Sequence, residues 1–356
     1  MANSMVRENA QHASRRKFLM GVGAASSSAL AGCSALGAGD GNGDSGFSGE
    51  VTVTHWPLLM YAPPYQMAAE NGYFEEEGID ITGFVGSSGG GTTVRNVATG
   101  GLPFGEVATP AAVNAYYAGA PITIIGSGTN SPGTINWVAP KGSDIGSIQD
   151  LRGETVGFTS AGSVTQNTAA LSLDRADGIS VDDVELSAMG GVGEGLTAVE
   201  SGDIAAAANL DPVFSSQQAD DKWDVVFWAS DFIDQFQQTC IIAGPDVLEN
   251  NPDAVEGYLR ARARGVQFIR ENPDESAEIF ASYNDGYDTA TMRSAFENVA
   301  PDSYYTENGF NVEGLQVIEE GMRNIDLIDR EVGWTDIIDQ SYLPEDKQTD
   351  LSALGE

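Results

Sequence analysis

Residues 85–101 read VGSSGGGTTVRNVATGG, and the chemistry open to such a stretch is capture of an anion by backbone donors. Ser87 and Ser88 bring hydroxyls. Gly89, Gly90 and Gly91 let the chain turn sharply, and Thr92 or Thr93 is placed to cap a helix with Val94 and Val97 on one face. The first N–H groups of a helix have no internal partners, so a carboxylate, sulfonate, nitrate or phosphate is favoured there. No Gly-Lys-Ser/Thr follows, which excludes a P-loop. The dinucleotide spacing is missing too, and no acid ends a strand about 20 residues on. Taken alone, the stretch reads either as a polar-ligand site or as a plain strand-to-helix turn.

Other chemistry finds little support. A hydrolase triad needs a base, and His55 is the sole histidine after Cys33. There is no HExxH, no CxxC and no His/Cys cluster, so neither a metal, a cofactor nor a catalytic residue is expected. Cys240 sits in the apolar run TCIIAG and reads as a small buried hydrophobe. Acids outnumber bases 52 to 17, giving a formal charge of −35. They are scattered along the chain, as on the solvated surfaces of proteins from salt-accumulating halophiles. Without a basic patch, nucleic acid and anionic lipid surfaces are poor partners.

The N-terminus is of another kind. Arg15, Arg16, Phe18 and Leu19 open a run that resembles a twin-arginine export signal, and Leu30-Ala31-Gly32-Cys33 looks like a lipobox with Cys33 the lipidated residue. The expectation is an exported chain, lipid-anchored to the outer face of the cytoplasmic membrane: signal in 1–33, Gly/Ser/Asp-rich tether in 34–49. From residue 50, apolar runs at 51–55, 79–85, 104–108, 121–126, 135–139, 154–158, 183–187, 203–208 and 224–228 alternate with helix-like stretches. That pattern predicts α/β layers around mostly parallel sheets. The glycine loop also has a second copy. Residues 89–110 align without a gap to residues 191–212 at a constant separation of 102, pairing Gly89 with Gly191, Val97 with Val199 and Pro110 with Pro212. Two similar lobes follow from this. Beyond residue 240 the chain reads as mostly helical, with starts at Asn251-Pro252 and Asn272-Pro273, and is expected to pack on the first lobe.

HWPLLMYAPPYQMAAENGYFEEEGIDI, the repeat region TTVRNVATGGLPFGEVATPAAVNAYYAGAPITIIG, and SIQDLRGETVGF together resemble the nitrate/sulfonate/taurine-type substrate-binding proteins of ABC importers, related to aliphatic-sulfonate and thiamine-pyrimidine-precursor binders. The resemblance covers roughly residues 50–300. It implies a two-lobed periplasmic-binding-protein-like fold (type II): two parallel-sheet lobes joined by crossing strands near Thr134–Val138 and Thr239–Ala243, with lobe 1 formed by 50–134 plus 243–356 and lobe 2 by 135–242. It also implies a monomer that holds a small-molecule ligand and docks on a permease served by an ATPase. Ligands of open α/β sheets sit beyond the carboxyl ends of strands. The cleft candidates are therefore His55, Trp56, Tyr61, Ser87, Ser88, Gly89, Gly90, Gly91, Thr92 and Thr109 from the first lobe. From the second they are Thr159, Ser160, Ser163, Gly191, Asn209 and Asp211. Asn209 and Asp211 equally suit a cap on the helix begun at Pro212, and Trp137 and Trp228 suit either cleft or core. Arg95 is the one base beside a loop. An oxyanion and a flat heterocycle stacked on Trp56, Tyr61, Phe158 or Trp228 both remain open as ligands. A pyrimidine synthase also shares the fold the resemblance implies, but the first lysine after Cys33 is Lys141 and no cysteine cluster exists, so a binder rather than an enzyme is expected.

Overall fold

The computed structural model describes residues 46–352 and 354. The twin-arginine stretch, Cys33 and most of the tether lie outside the described residues. Eleven strands are present among those described: β1 Phe47–Thr54, β2 Ile79–Ser87, β3 Phe104–Ala108, β4 Thr123–Thr129, β5 Ile135–Pro140, β6 Thr155–Phe158, β7 Glu185–Ala188, β8 Ala206–Leu210, β9 Trp223–Trp228, β10 Thr239–Ala243 and β11 Tyr305–Asn308. β1 begins at Phe47, so residues 47–49, expected to end the tether, instead pair with Ile79–Ile81. Its Val51–Thr54 half is buried on both faces, which suits an interior strand of β-branched residues.

The strands form two sheets, in the orders β11-β4-β10-β3-β1-β2 and β7-β6-β8-β5-β9. Setting β11 aside, the two follow one plan, with β4, β10, β3, β1 and β2 matching β9, β5, β8, β6 and β7. The matched pair Phe104–Ala108 and Ala206–Leu210 keeps the separation of the sequence repeat. The sheets are mixed rather than parallel. β10 runs antiparallel to β3 and β4, and β5 antiparallel to β8 and β9. These are the strands that follow each passage between sheets, so they enter their host sheet against its direction. Parallel register aligns the carboxyl ends: Thr54 lies opposite Ser87, and Phe158 opposite Ala188.

Of the helices among the described residues, nine bear on the site: α1 Pro63–Glu70, α2 Gly90–Ala98, α3 Thr109–Tyr117, α4 Val164–Arg175, α5 Val192–Ser201, α6 Val213–Gln217, α7 Pro252–Glu271, α8 Thr289–Val299 and α9 Val312–Asn324. α2 buries Thr93, Val94 and Val97, and α5 buries Gly195, Leu196 and Val199 at the corresponding places. α7 starts at Pro252 and buries Val255, Tyr258, Leu259, Val266 and Ile269 at helical spacing. Tyr258 stacks on Phe104 with ring centroids 4.2 Å apart, and full burial of such a ring stabilises by about 1.5–3 kcal/mol.

The C-terminal region does more than cover the first lobe. α7 and α8 pack with Met60 and Met67 of that lobe, yet α9 lies on α4 of the second: Arg175 pairs with Glu320 at 2.8 Å, and Gly321 sits against Asn167 and Leu171. Asn298 of α8 also donates to Asp211 at 3.1 Å. Charged and amide partners on facing helices draw the tail across both lobes, which helical periodicity alone does not reveal. No described helix is long and apolar enough to cross a membrane.

Candidate functional site

The aligned strand ends leave a cavity of about 770 Å³ between the sheets. His55, Trp56, Tyr61, Ser87, Ser88, Gly89, Gly90, Gly91, Thr159, Ser160, Ser163 and Gly191 all line it. Thr92, Thr109, Asn209 and Asp211 do not, and neither does the exposed Arg95.

Three helices of eight or more residues start on the cavity wall. α2 begins after Gly89, with Gly90 and Gly91 in its first turn, α4 after Ser163, and α5 after Gly191. The first N–H groups of a helix lack i−4 partners, so each of these starts is a source of backbone donors at the wall. Gly90 is required by contact: a Cβ there would meet the Ala111 methyl at 2.5 Å. Gly190 is required by conformation, with φ at 98°.

The first loop is held by a hydroxyl chain. Ser87 Oγ and Thr93 Oγ1 are 2.5 Å apart, Thr93 Oγ1 and Thr54 Oγ1 are 2.7 Å apart, and Thr54 donates to the Glu106 carbonyl at 2.9 Å. The α4 wall has its own cluster. Thr165 Oγ1 accepts from the Thr159 N–H at 3.0 Å and lies 2.8 Å from Thr159 Oγ1 and 2.9 Å from Ser163 Oγ. Ser163 caps the helix by accepting from Gln166 N at 3.2 Å. Both clusters help to fix the loop backbones.

The 55–61 loop supplies a different surface. His55 has φ 57° and donates its N–H to the Ser87 carbonyl at 2.9 Å. Trp56 lies on Phe84 with centroids 4.3 Å apart and takes the edge of Tyr283 at 5.6 Å. Leu58 and Leu59 complete an apolar stretch of wall. The Tyr61 hydroxyl accepts from Gln238 at 2.9 Å, and burial pushes it up to about 12. His55 lines the cavity while remaining open to solvent, and partial desolvation there holds its imidazole below the usual histidine range. Among the described residues, no Lys, Arg, Asp or Glu lines the cavity, and no group of His, Cys, Asp and Glu could hold a metal ion.

The absent candidates have structural work elsewhere. Asp211 is buried, accepting from Ser215 N at 3.2 Å, Ser215 Oγ at 2.6 Å and Asn298; burial raises it to about 6. Asn209 is fully buried and bonds to Gln217 at 3.1 Å. Thr109 is buried, its N–H donating to the Gln238 carbonyl at 3.0 Å. Trp137 is core, stacked on Phe227 at 4.7 Å and donating to the Gly157 carbonyl at 3.1 Å. Phe158 and Trp228 also stay out of the cavity. Conversely, Thr54, Leu58, Leu59, Gly162 and Thr165 line it without having been singled out. Thr165 had a usable signal, a second hydroxyl two residues after Ser163 in a helix's first turn.

A family profile described as NMT1/THI5 like matches residues 60–276. The chain is 22% identical over 322 residues to a 4-amino-5-hydroxymethyl-2-methylpyrimidine phosphate synthase of Legionella pneumophila, covering 87% of this chain and 98% of that protein. It is 24% identical over 242 residues to a formylaminopyrimidine-binding protein of Halalkalibacterium halodurans, covering 66% and 70%. Among solved structures it is similar to the periplasmic aliphatic sulphonate binding protein SsuA from Escherichia coli. The TM-score is 0.69 at 18% identity, covering 82% of this chain and 92% of that one. The two-sheet architecture is thus the periplasmic-binding-protein fold.

Proposed function

The chain belongs to the NMT1/THI5-like family, and from that premise we propose that it is the extracytoplasmic solute-binding component of an ABC importer, taking a small solute with an oxyanionic head and an apolar body. One observation carries this reading: three helix N-termini and two hydroxyl clusters meet in a cavity with no lining carboxylate among the described residues, together with the apolar Trp56, Leu58 and Leu59. The donors suit a sulfonate-like head, and the apolar wall suits an aliphatic or aromatic body. A bare nitrate would leave most of about 770 Å³ to water. The lobes hinge on the crossing segments and bury the solute, and the closed form docks on a permease and its ATPase as a monomer. Export through Arg15-Arg16 and anchoring at Cys33 belong to the same proposal, as does release of the solute chemically unchanged. The fold of the sulphonate binder supports it.

A second reading, a flat pyrimidine-like heterocycle, is favoured by the names of the two sequence relatives and by Trp56 and Tyr61 on the wall. Against it, no aromatic of the second lobe lines the cavity, so a heterocycle would stack on one side only.

A thermal-shift panel in molar KCl separates the two: alkanesulfonates, taurine and nitrate against thiamine pyrimidine precursors, with each compound recovered and weighed by mass spectrometry. The expected result is a raised melting point with alkanesulfonates, recovered intact. A shift confined to pyrimidines would favour the second reading, and conversion of any compound would make the chain an enzyme.

A further inference from the structure

The cavity is rich in fixed donors and holds one group whose charge changes near neutral pH. Tyr61 is kept protonated by burial, which outweighs the hydrogen bond it accepts from Gln238, and this leaves His55. Its position is built. It follows the last residue of β1, its N–H is tied to the Ser87 carbonyl, and its own carbonyl accepts from Leu58 N at 3.0 Å. A φ of 57° is a conformation that non-glycine residues adopt sparingly. That backbone turns the chain out of the sheet and sets the imidazole on the cavity wall beside Trp56.

We propose that His55 makes capture proton-coupled: an anionic head enters the cleft together with a proton, and the imidazolium so formed is the site's one full positive charge. This rests on the oxyanion reading above.

The charged groups on the surrounding elements do not substitute for it. Arg95 on α2 is exposed, the Glu194 carboxylate in the first turn of α5 lies against Gly191, and Glu70 is engaged by the Tyr283 hydroxyl beyond Trp56 at 2.9 Å. None of the three lines the cavity. In the empty cleft, desolvation disfavours the imidazolium. An anion within about 4–6 Å reverses that preference by roughly 1–3 pKa units. The bound-state pKa then lies above the free-state pKa, so a proton is taken up between the two. Affinity is highest below the free-state pKa and falls up to about tenfold per pH unit as pH rises through the window. The site therefore selects anions most strongly in mildly acidic surroundings and leaves neutral solutes untouched by pH.

The test is titration calorimetry of the purified chain with hexanesulfonate from pH 5 to 9, in buffers of different ionisation enthalpy. It is paired with proton NMR of the imidazole with and without hexanesulfonate. The expected result is up to one proton taken up per site, an imidazole midpoint moved upward by the probe, and a His55→Asn variant that still binds but shows neither effect. Asparagine tolerates the left-handed backbone, and His55→Gln serves as a second variant. Binding with no proton uptake and no pH dependence would overturn the proposal while leaving the oxyanion reading intact. Failure of hexanesulfonate and of every other oxyanion in the panel to bind between pH 5 and 9 would overturn both.

Discussion

The two lobes share a plan and differ in chemistry at matched positions. In the first, α2 packs on β3 through Thr93 over Gly105; in the second, α5 packs on β8 through Gly195 over Ala207. Bulk has changed sides at the same helix–sheet contact. The exchange keeps volume but moves a hydroxyl: only the first lobe's glycine loop has the Thr54–Thr93–Ser87 chain behind it. The second lobe places its hydroxyls at the start of α4, where the first lobe has the Trp56–Tyr61 loop. Deeper in the sheets, Glu106 of β3 is buried against Arg262 at 3.2 Å, where β8 carries Ala208. Below the cleft, buried Thr109 corresponds to buried Asp211. A repeated fold thus yields unlike walls: the first combines a hydroxyl-backed glycine loop with the apolar Trp56, Leu58 and Leu59, and the second is hydroxylic with no aromatic.

Breaking the buried pair should have the largest effect. Glu106→Ala leaves Arg262 facing the Gly128 and Thr306 carbonyls and Asn308 without its carboxylate, and a loss of about 3–5 kcal/mol is expected in a urea melt. Asp211 sharpens the comparison through pH. Its folded pKa of about 6 stands above the ordinary 3.8, so its stabilising contribution is complete below about pH 4 and is lost as pH rises through about 6. The stability difference between wild type and Asp211→Asn should therefore fall by about 2–3 kcal/mol between pH 4 and 7; a flat difference would show that the carboxyl is not desolvated. At the exchanged contact, a Cβ on Gly105 would lie 3.0 Å from methyl groups of Thr93 and Val97. Gly105→Ala should cost about 1–3 kcal/mol. Adding Thr93→Ser should restore part of it, since serine keeps the hydroxyl chain and drops the crowding methyl. The smallest effect is expected at Glu194, whose carboxylate approaches Gly191 at the start of α5. Removing that charge with Glu194→Gln should tighten alkanesulfonate binding by about two- to fivefold at low ionic strength, measured by calorimetry.

Much of this was readable before any coordinates. The strands at 79, 104, 135 and 155 begin within a residue or so of their apolar runs, because β-branched runs bounded by glycine have few other ways to fold. The Ser87–Gly91 and Gly191 loops line one cavity, as expected from carboxyl strand ends. The same rule gave Thr109, Asn209 and Asp211, which turn inward. The last residues of a strand alternate between faces, and a shift of one position moves a side chain from cleft to core. Glu106 attracted no notice in a chain with 52 acids; its partner is 156 residues away.

What the amino-acid order determined by itself is local or repeated. Glycine and proline placed the turns, periodicity placed the strands and helices, and a constant separation of 102 residues announced two lobes. What tertiary structure decided is which hydroxyls line the cavity and which are buried away from it. It also decided that the two crossing strands run against their sheets and that the C-terminal helices reach both lobes. The reason lies in range. Backbone preferences act over a few residues, while the side of a sheet and the partner of a buried charge are set by whatever distant segment excludes water there.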